Sequence, residues 1–140
     1  MIRKFKSSDI DAIMQIWIEE NINAHSFISK EYWGKNYDYV KSVLPNAEIY
    51  VYTNNNEISG FIGLNSRYIE GIFVKSGSQN KGCGTALLNK AKHKNTQLTL
   101  NVYEKNLKAF NFYKKNGFKI MEENIDSETK EKEYLMMWKK

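Results

Sequence analysis

The sequence has little that cross-links or stiffens a chain: among 140 residues there is one cysteine and one proline. A lone Cys83 cannot form an internal disulfide, so a disulfide scaffold is excluded and a reducing compartment is expected. Two histidines and that one cysteine leave no H-E-x-x-H or C-x-x-C spacing, so no metal is expected. No apolar run approaches the ~20 residues of a membrane span. Met1 leads into Ile2-Arg3-Lys4-Phe5-Lys6 without the apolar core of a signal segment. The expectation is a cytoplasmic protein with no membrane partner. Repeats, low-complexity tracts and Pro-rich linkers are missing too, so residues 1–140 are expected to form one domain. No Ser-His-Asp arrangement has supporting local sequence.

What is present is a globular composition, 41% hydrophobic and 14% aromatic, enough at this length to bury a core. The net charge of +5 fits either a solvated lysine-rich face or an anion-binding surface. The lysines are scattered, and the dense stretch Lys130 to Lys140 is diluted by Glu131 and Glu133. No helix-turn-helix or RNA-binding signature accompanies them, so no nucleic-acid partner is expected. Oligomeric state stays open between monomer and homodimer.

Periodicity and punctuation give the element order. Ile2 to Lys6 reads as a strand. Ser8 and Asp11 resemble a capping box, followed by Ile10, Ile13, Met14 and Trp17 at helical spacing. Ser29 opens a second helix that Pro45 stops. Ile49 to Thr53 and Ile58 to Leu64 form a hairpin about Asn54-Asn55-Asn56, and Tyr68 to Val74 is a further strand. A glycine-punctuated loop, Gly77 to Gly84, runs into a helix from Thr85. Leu98 to Tyr103 is a strand, Leu107 to Lys115 a helix ended by Gly117, and Phe118 to Met121 and Tyr134 to Trp138 are closing strands. The order β-α-α-β-β-β-α-β-α-β-β predicts an α/β fold, a mixed sheet with helices on both faces. The unit from Tyr68 to Tyr103 needs a parallel crossover.

The loop Gln79-Asn80-Lys81-Gly82-Cys83-Gly84 lies between a strand and a helix. Backbone N–H groups and the helix N-terminus make such a loop an anion site, although a plain capping turn would look similar. A Walker A loop would need lysine where Cys83 stands. A dinucleotide fingerprint would need glycine where Leu87 stands. The pattern [QR]-x-x-G-x-[GA] is met by Gln79, Gly82 and Gly84.

This loop resembles motif A of the GNAT superfamily of N-acetyltransferases. The preceding Ile72-Phe73-Val74, the following Leu100-Asn101-Val102 with Asn106, and the run from Ala109 through Phe112-Tyr113 to Gly117-Phe118 are similar to family segments in the same order. Trp17, Ala24-His25, Phe27 and Glu31-Tyr32 resemble a branch of small bacterial acetyltransferases. The resemblance spans essentially the whole chain.

It implies a GNAT-like fold in which two parallel strands splay, and acetyl-CoA as the cosubstrate lying between them. The acetyl group would pass to a primary amine, small or on a peptide or protein, by direct attack through a tetrahedral intermediate. Main-chain groups of Ile72, Phe73 and Val74 would meet the pantetheine arm. The loop from Gln79 through Asn80, Lys81, Gly82, Cys83 and Gly84 to Thr85 would hold the pyrophosphate. Asn106 would contact the cofactor arm, cap a helix, or both. Asn101 stands where some relatives carry a glutamate base; an amide cannot take that proton, so Asn101 is expected to orient the thioester or a water. Tyr113 corresponds to the tyrosine that protonates the leaving thiolate, the alternative being a core aromatic. Glu70, read as sharing a face with Ile72 and Val74, and His25, between the first two helices, are the base candidates; a water chain is the third. A non-catalytic acyl-CoA sensor is the alternative to an enzyme.

Overall fold

The computed structural model describes residues 1–140. Its strands are β1 (Ile2–Lys4), β2 (Glu48–Asn54), β3 (Glu57–Asn65), β4 (Tyr68–Val74), β5 (Gln97–Tyr103), β6 (Lys119–Ile125) and β7 (Lys132–Lys139). Its helices are α1 (Ile10–Ala24), α2 (Lys30–Val43), α3 (Cys83–Lys94) and α4 (Leu107–Lys115). The element order is the expected one. The strands form one mixed sheet in the order β1-β2-β3-β4-β5-β7-β6, in which only β4 and β5 pair parallel.

Local chemistry sets most boundaries. Asn55 and Asn56 take φ of 53° and 66°, the left-handed pair that closes a two-residue hairpin between β2 and β3. Gly117, at φ 92°, ends α4, and the Phe118 amide turns back to the Tyr113 carbonyl at 3.0 Å. Pro45 sits in a 3-10 turn, Leu44–Asn46, directly after α2. The start of α1 departs from the Ser8–Asp11 expectation. The capping carboxylate is Asp9, which accepts from the Lys6 amide at 2.8 Å and from both terminal nitrogens of Arg3 at 2.8 and 3.0 Å. The two-pronged guanidinium fixes Asp9, and the exposed Asp11 pairs instead with Lys41.

Two apolar layers sandwich the sheet. On one face Leu87, Leu88 and Ala91 of α3 and Tyr113 of α4 meet Ile62, Leu64, Ile69, Leu98, Leu100 and Met136. On the other, Ile13, Trp17 and Trp33 of α1 and α2 meet Ile49, Val51 and Phe61. Alternation along each strand divides the side chains between the layers: Ile62 goes to the first and Phe61 to the second.

One irregularity interrupts the pairing of β3 and β4. Gly63 pairs with Gly71, but the next residue, Leu64, pairs with Ile69. Glu70 is therefore an extra residue, a β-bulge. Its effect is visible in the packing: Ile69 and Ile72, three apart, join the same core layer. Glu70 is thus turned to the opposite face, its Cβ lying 3.8 Å from where a Gly63 Cβ would be. The expectation that Glu70 shares a face with Ile72 and Val74 is corrected by this bulge, which inverts the period-two reading. A bulge also bends its strand. β4 and β5 pair at Tyr68↔Thr99 and Ile69↔Leu100 and no further, so the sheet forks at Glu70.

Candidate active site

The fork opens into a cavity of about 700 Å³ that connects both faces of the sheet. Its walls include Ile72, Phe73 and Val74 of β4 and Asn101, Val102 and Tyr103 of β5. Ala109, Phe112 and Tyr113 of α4 close it on one side; Trp17 and Asn21 of α1, His25, and Trp33 of α2 close it on the other. Beyond their shared pairs the facing edges of β4 and β5 have no strand partner, and such backbone groups are satisfied by a ligand or by water.

One end of the cavity meets the uncapped start of α3. Asn80 at φ 64° and Gly82 at φ 86° coil the loop into α3. The Gly82 carbonyl takes the first helical bond, from Ala86 at 2.9 Å. The amides of Cys83, Gly84 and Thr85 precede that bond, and no side chain caps them. Free N–H groups at a helix start suit a pyrophosphate. Asn80, Gly82, Gly84 and Thr85 all line the cavity. These open amides and the unpaired strand edges fit a phosphate-bearing ligand with a long amide arm, such as coenzyme A.

Three residues expected to bind the cofactor play other parts in their side chains. Gln79 donates to the Val74 carbonyl and to the buried Glu20, both at 2.9 Å, and accepts from Lys108 at 2.6 Å, so it ties the loop to α1 and α4. Cys83 is 4% exposed and packs in the core layer. Its thiol is pushed up by burial, against a smaller pull from Ser59. Lys81 is exposed and does not line the cavity. The Cys83 amide, at the start of α3, has no side-chain cap.

Tyr113 is 7% exposed, yet it lines the cavity. Burial holds its phenol well above the usual range, so it stays protonated through neutral pH. Asn101 donates to the Tyr68 hydroxyl at 2.8 Å, which fixes its amide within the fork. Asn106 caps α4, accepting from the Ala109 amide at 3.3 Å. Its nitrogen lies 3.2 Å from His25 Nε2, so the two candidates occupy one corner.

The far side of the fork is aromatic and acidic. His25 stacks on Trp33 at a centroid distance of 5.2 Å and meets Tyr103 and Phe27 edge-on. Burial pushes it down to about 4 against a smaller upward pull from the Asn21 backbone. His25 Nδ1 and the Trp33 indole nitrogen are buried without hydrogen-bond partners. Glu70 reaches the cavity and accepts from Asn65 at 2.6 Å. A second carboxylate, Glu133 of β7, lines the same wall.

A model of the acetyltransferase (GNAT) domain matches residues 45–120. The Escherichia coli peptidyl-lysine N-acetyltransferase YiaC is 31% identical over 140 residues, covering 99% of this chain and 96% of that protein. The chain belongs to the GNAT acetyltransferase family. The E. coli peptidyl-lysine N-acetyltransferase YjaB is 32% identical over 120 residues, 85% of this chain and 82% of its own. The solution structure of apo YjaB superposes with a TM-score of 0.88 at 28% identity, covering 99% of this chain and 96% of that one. An acetyltransferase from Bacillus anthracis, determined with acetyl coenzyme A, matches 67% of this chain and 62% of its own at a TM-score of 0.60 and 28% identity. As a GNAT protein the chain is an N-acetyltransferase, of a family that draws its acetyl group from acetyl-CoA. No helix is long and apolar enough to cross a membrane.

Sequence reasoning missed Glu133 and Tyr103. Both reach the GNAT site because β7 inserts between β5 and β6 and brings Glu133 opposite Tyr103. Strand order is a tertiary fact with no local signature, and Glu133 falls just before the closing strand expected from Tyr134 to Trp138.

Proposed function

We propose that the chain transfers the acetyl group of acetyl-CoA to the side-chain amine of a peptidyl lysine, by direct attack of the free amine on the thioester carbonyl. Residues 1–140 act as one domain. The observation that carries this reading is the cavity that runs through the fork, from the α3 amides past Tyr113 to Glu70 on the opposite face. The naming of YiaC and YjaB as peptidyl-lysine N-acetyltransferases supports the choice of acceptor.

The amides of Cys83, Gly84 and Thr85 bind the pyrophosphate, and the β4 edge at Ile72 to Val74 orients the pantetheine arm. Two proton tasks remain. An ammonium must lose a proton before it can attack; Glu70 takes it, since it faces the acceptor side and lines the cavity. His25 has Nε2 engaged by the Asn106 nitrogen and Nδ1 buried, so neither ring nitrogen is open to the amine and the ring serves as an aromatic wall. As the C–N bond forms and the C–S bond breaks, the sulfur gains charge. Tyr113 meets that charge with its phenolic hydrogen.

The test incubates the protein with acetyl-CoA and N-terminally blocked peptides containing one lysine, measuring free thiol and peptide mass. Thiol release with a gain of one acetyl group is expected. Acetyl-CoA binding without turnover on any amine would instead mark a sensor.

A further inference from the structure

We propose that Glu133 is the carboxylate that holds the acceptor's alkylammonium group, within a site whose walls are aromatic. The proposal deepens the lysine reading above and rests on it. Glu133 stands on β7 directly opposite Tyr103 of β5. Its neighbours Tyr134 and Met136 pack into the α3 layer, and Glu133 lines the cavity.

Its isolation singles it out. The two residues before it are both engaged: Glu131 with Lys105 at 3.0 Å, and Lys132 with Glu104 and Glu123 at 3.2 and 3.0 Å. The Glu133 side chain has neither ion pair nor hydrogen bond, although it is half-buried in a chain with 21 lysines and arginines. Burial and the neighbouring Asp126 hold it above the usual carboxylate range. A partly desolvated anion without a cation is unfavourable, and the site relieves that cost when a cation arrives.

The surroundings fit one kind of cation. Trp33, His25 and Tyr103 supply ring faces and edges to the same cavity, which suit the methylenes and charged end of a lysine side chain. The Trp33 indole N–H, in a residue only 8% exposed, is buried without a partner, so Trp33 offers the cavity its ring and not a donor. Anion and aromatic wall together describe a seat for a lysine side chain. Glu133 binds the ammonium, and Glu70 then takes the proton.

Binding and chemistry separate kinetically. With a blocked single-lysine peptide, E133Q is expected to raise the peptide KM about 10- to 100-fold, the range for a charge-assisted contact. The kcat and the acetyl-CoA KM should stay within twofold, and E133D should restore part of the loss. E70Q should lower kcat instead. On the unaltered protein, a peptide carrying trimethyllysine, a fixed unreactive cation, should compete with the lysine peptide, while the norleucine peptide should not. An E133Q peptide KM within twofold of wild type, or equal competition by norleucine and trimethyllysine peptides, overturns the proposal. If wild type acetylates another amine but no lysine peptide, the lysine reading fails, and the same KM split with that amine still tests Glu133.

Discussion

The side-chain nitrogen of Asn106 stands 3.2 Å from His25 Nε2. An amide nitrogen only donates, so Nε2 accepts and the neutral ring carries its proton on Nδ1. The same side chain caps α4 through its oxygen. Asn106→Ala should therefore lose about 1 kcal/mol from the cap and leave Nε2 unpaired. Asn106→Asp keeps the capping oxygen and replaces the donor with an anion, so it should retain most stability and raise the His25 titration. Urea unfolding and an NMR titration of the ring report the two effects; a His25 titration unchanged by the aspartate would show that the contact is not formed in solution.

Acid should destabilise the fold through His25. Its folded value of about 4 lies below the ordinary ~6.5, so the unfolded chain binds the proton first. Stability should fall as pH drops from about 6.5 through 4, by up to about 3 kcal/mol. His25→Phe, which keeps a ring in the aromatic cluster, should flatten that limb between pH 7 and 4.5 in thermal melts. An equally steep limb in the variant would assign the acid sensitivity elsewhere.

The phosphate cradle can be probed without straining the fold. Gly82 sits at φ 86°, so any side chain there is strained. Gly84 has no such φ, and an added Cβ would meet the Phe112 ring at 3.5 Å, an ordinary contact. Gly84→Asp should fold but place a carboxylate beside the open amides. Its affinity for acetyl-CoA, measured by calorimetry, should drop by 100-fold or more, about 3 kcal/mol. Wild-type affinity would move the phosphate site away from α3.

Tyr113 and Glu70 should differ in pH behaviour. Tyr113→Phe keeps the ring and removes the hydroxyl, so kcat should fall by about 100-fold, the low end for a general acid, with little change in the acetyl-CoA KM. The acid limb of kcat/KM should persist. Glu70→Gln should lower kcat by a similar ~100-fold and shift that limb upward, because only amine already deprotonated in solution can then react. Full turnover in a folded Tyr113→Phe protein would make Tyr113 a core aromatic only.

The element order, the glycine loop before α3 and the tyrosine helix were legible because each has a local signature. Gly82 takes a left-handed φ, Gly117 ends a helix, and Asn106 accepts at a helix start. The fork was legible only by resemblance, and its cause was not. A single inserted residue at Glu70 inverts the alternation on β4, and no composition rule marks a bulge between Ile69 and Gly71. Gln79 was legible as part of the motif but not in its task. Its bonds run to Glu20 and Lys108, 59 and 29 positions away, and such distances appear only once the chain has folded.

The interior position of Cys83 bears on how the reaction can be followed. Its sulfur lies under 3 Å from where a Gly60 Cβ would be, and burial keeps the thiol protonated. A disulfide reagent needs an accessible thiolate. Added to the native protein, it should therefore give almost no colour until coenzyme A is released. The chain's own sulfur supplies a quiet background, and a sudden reagent uptake without substrate would report unfolding.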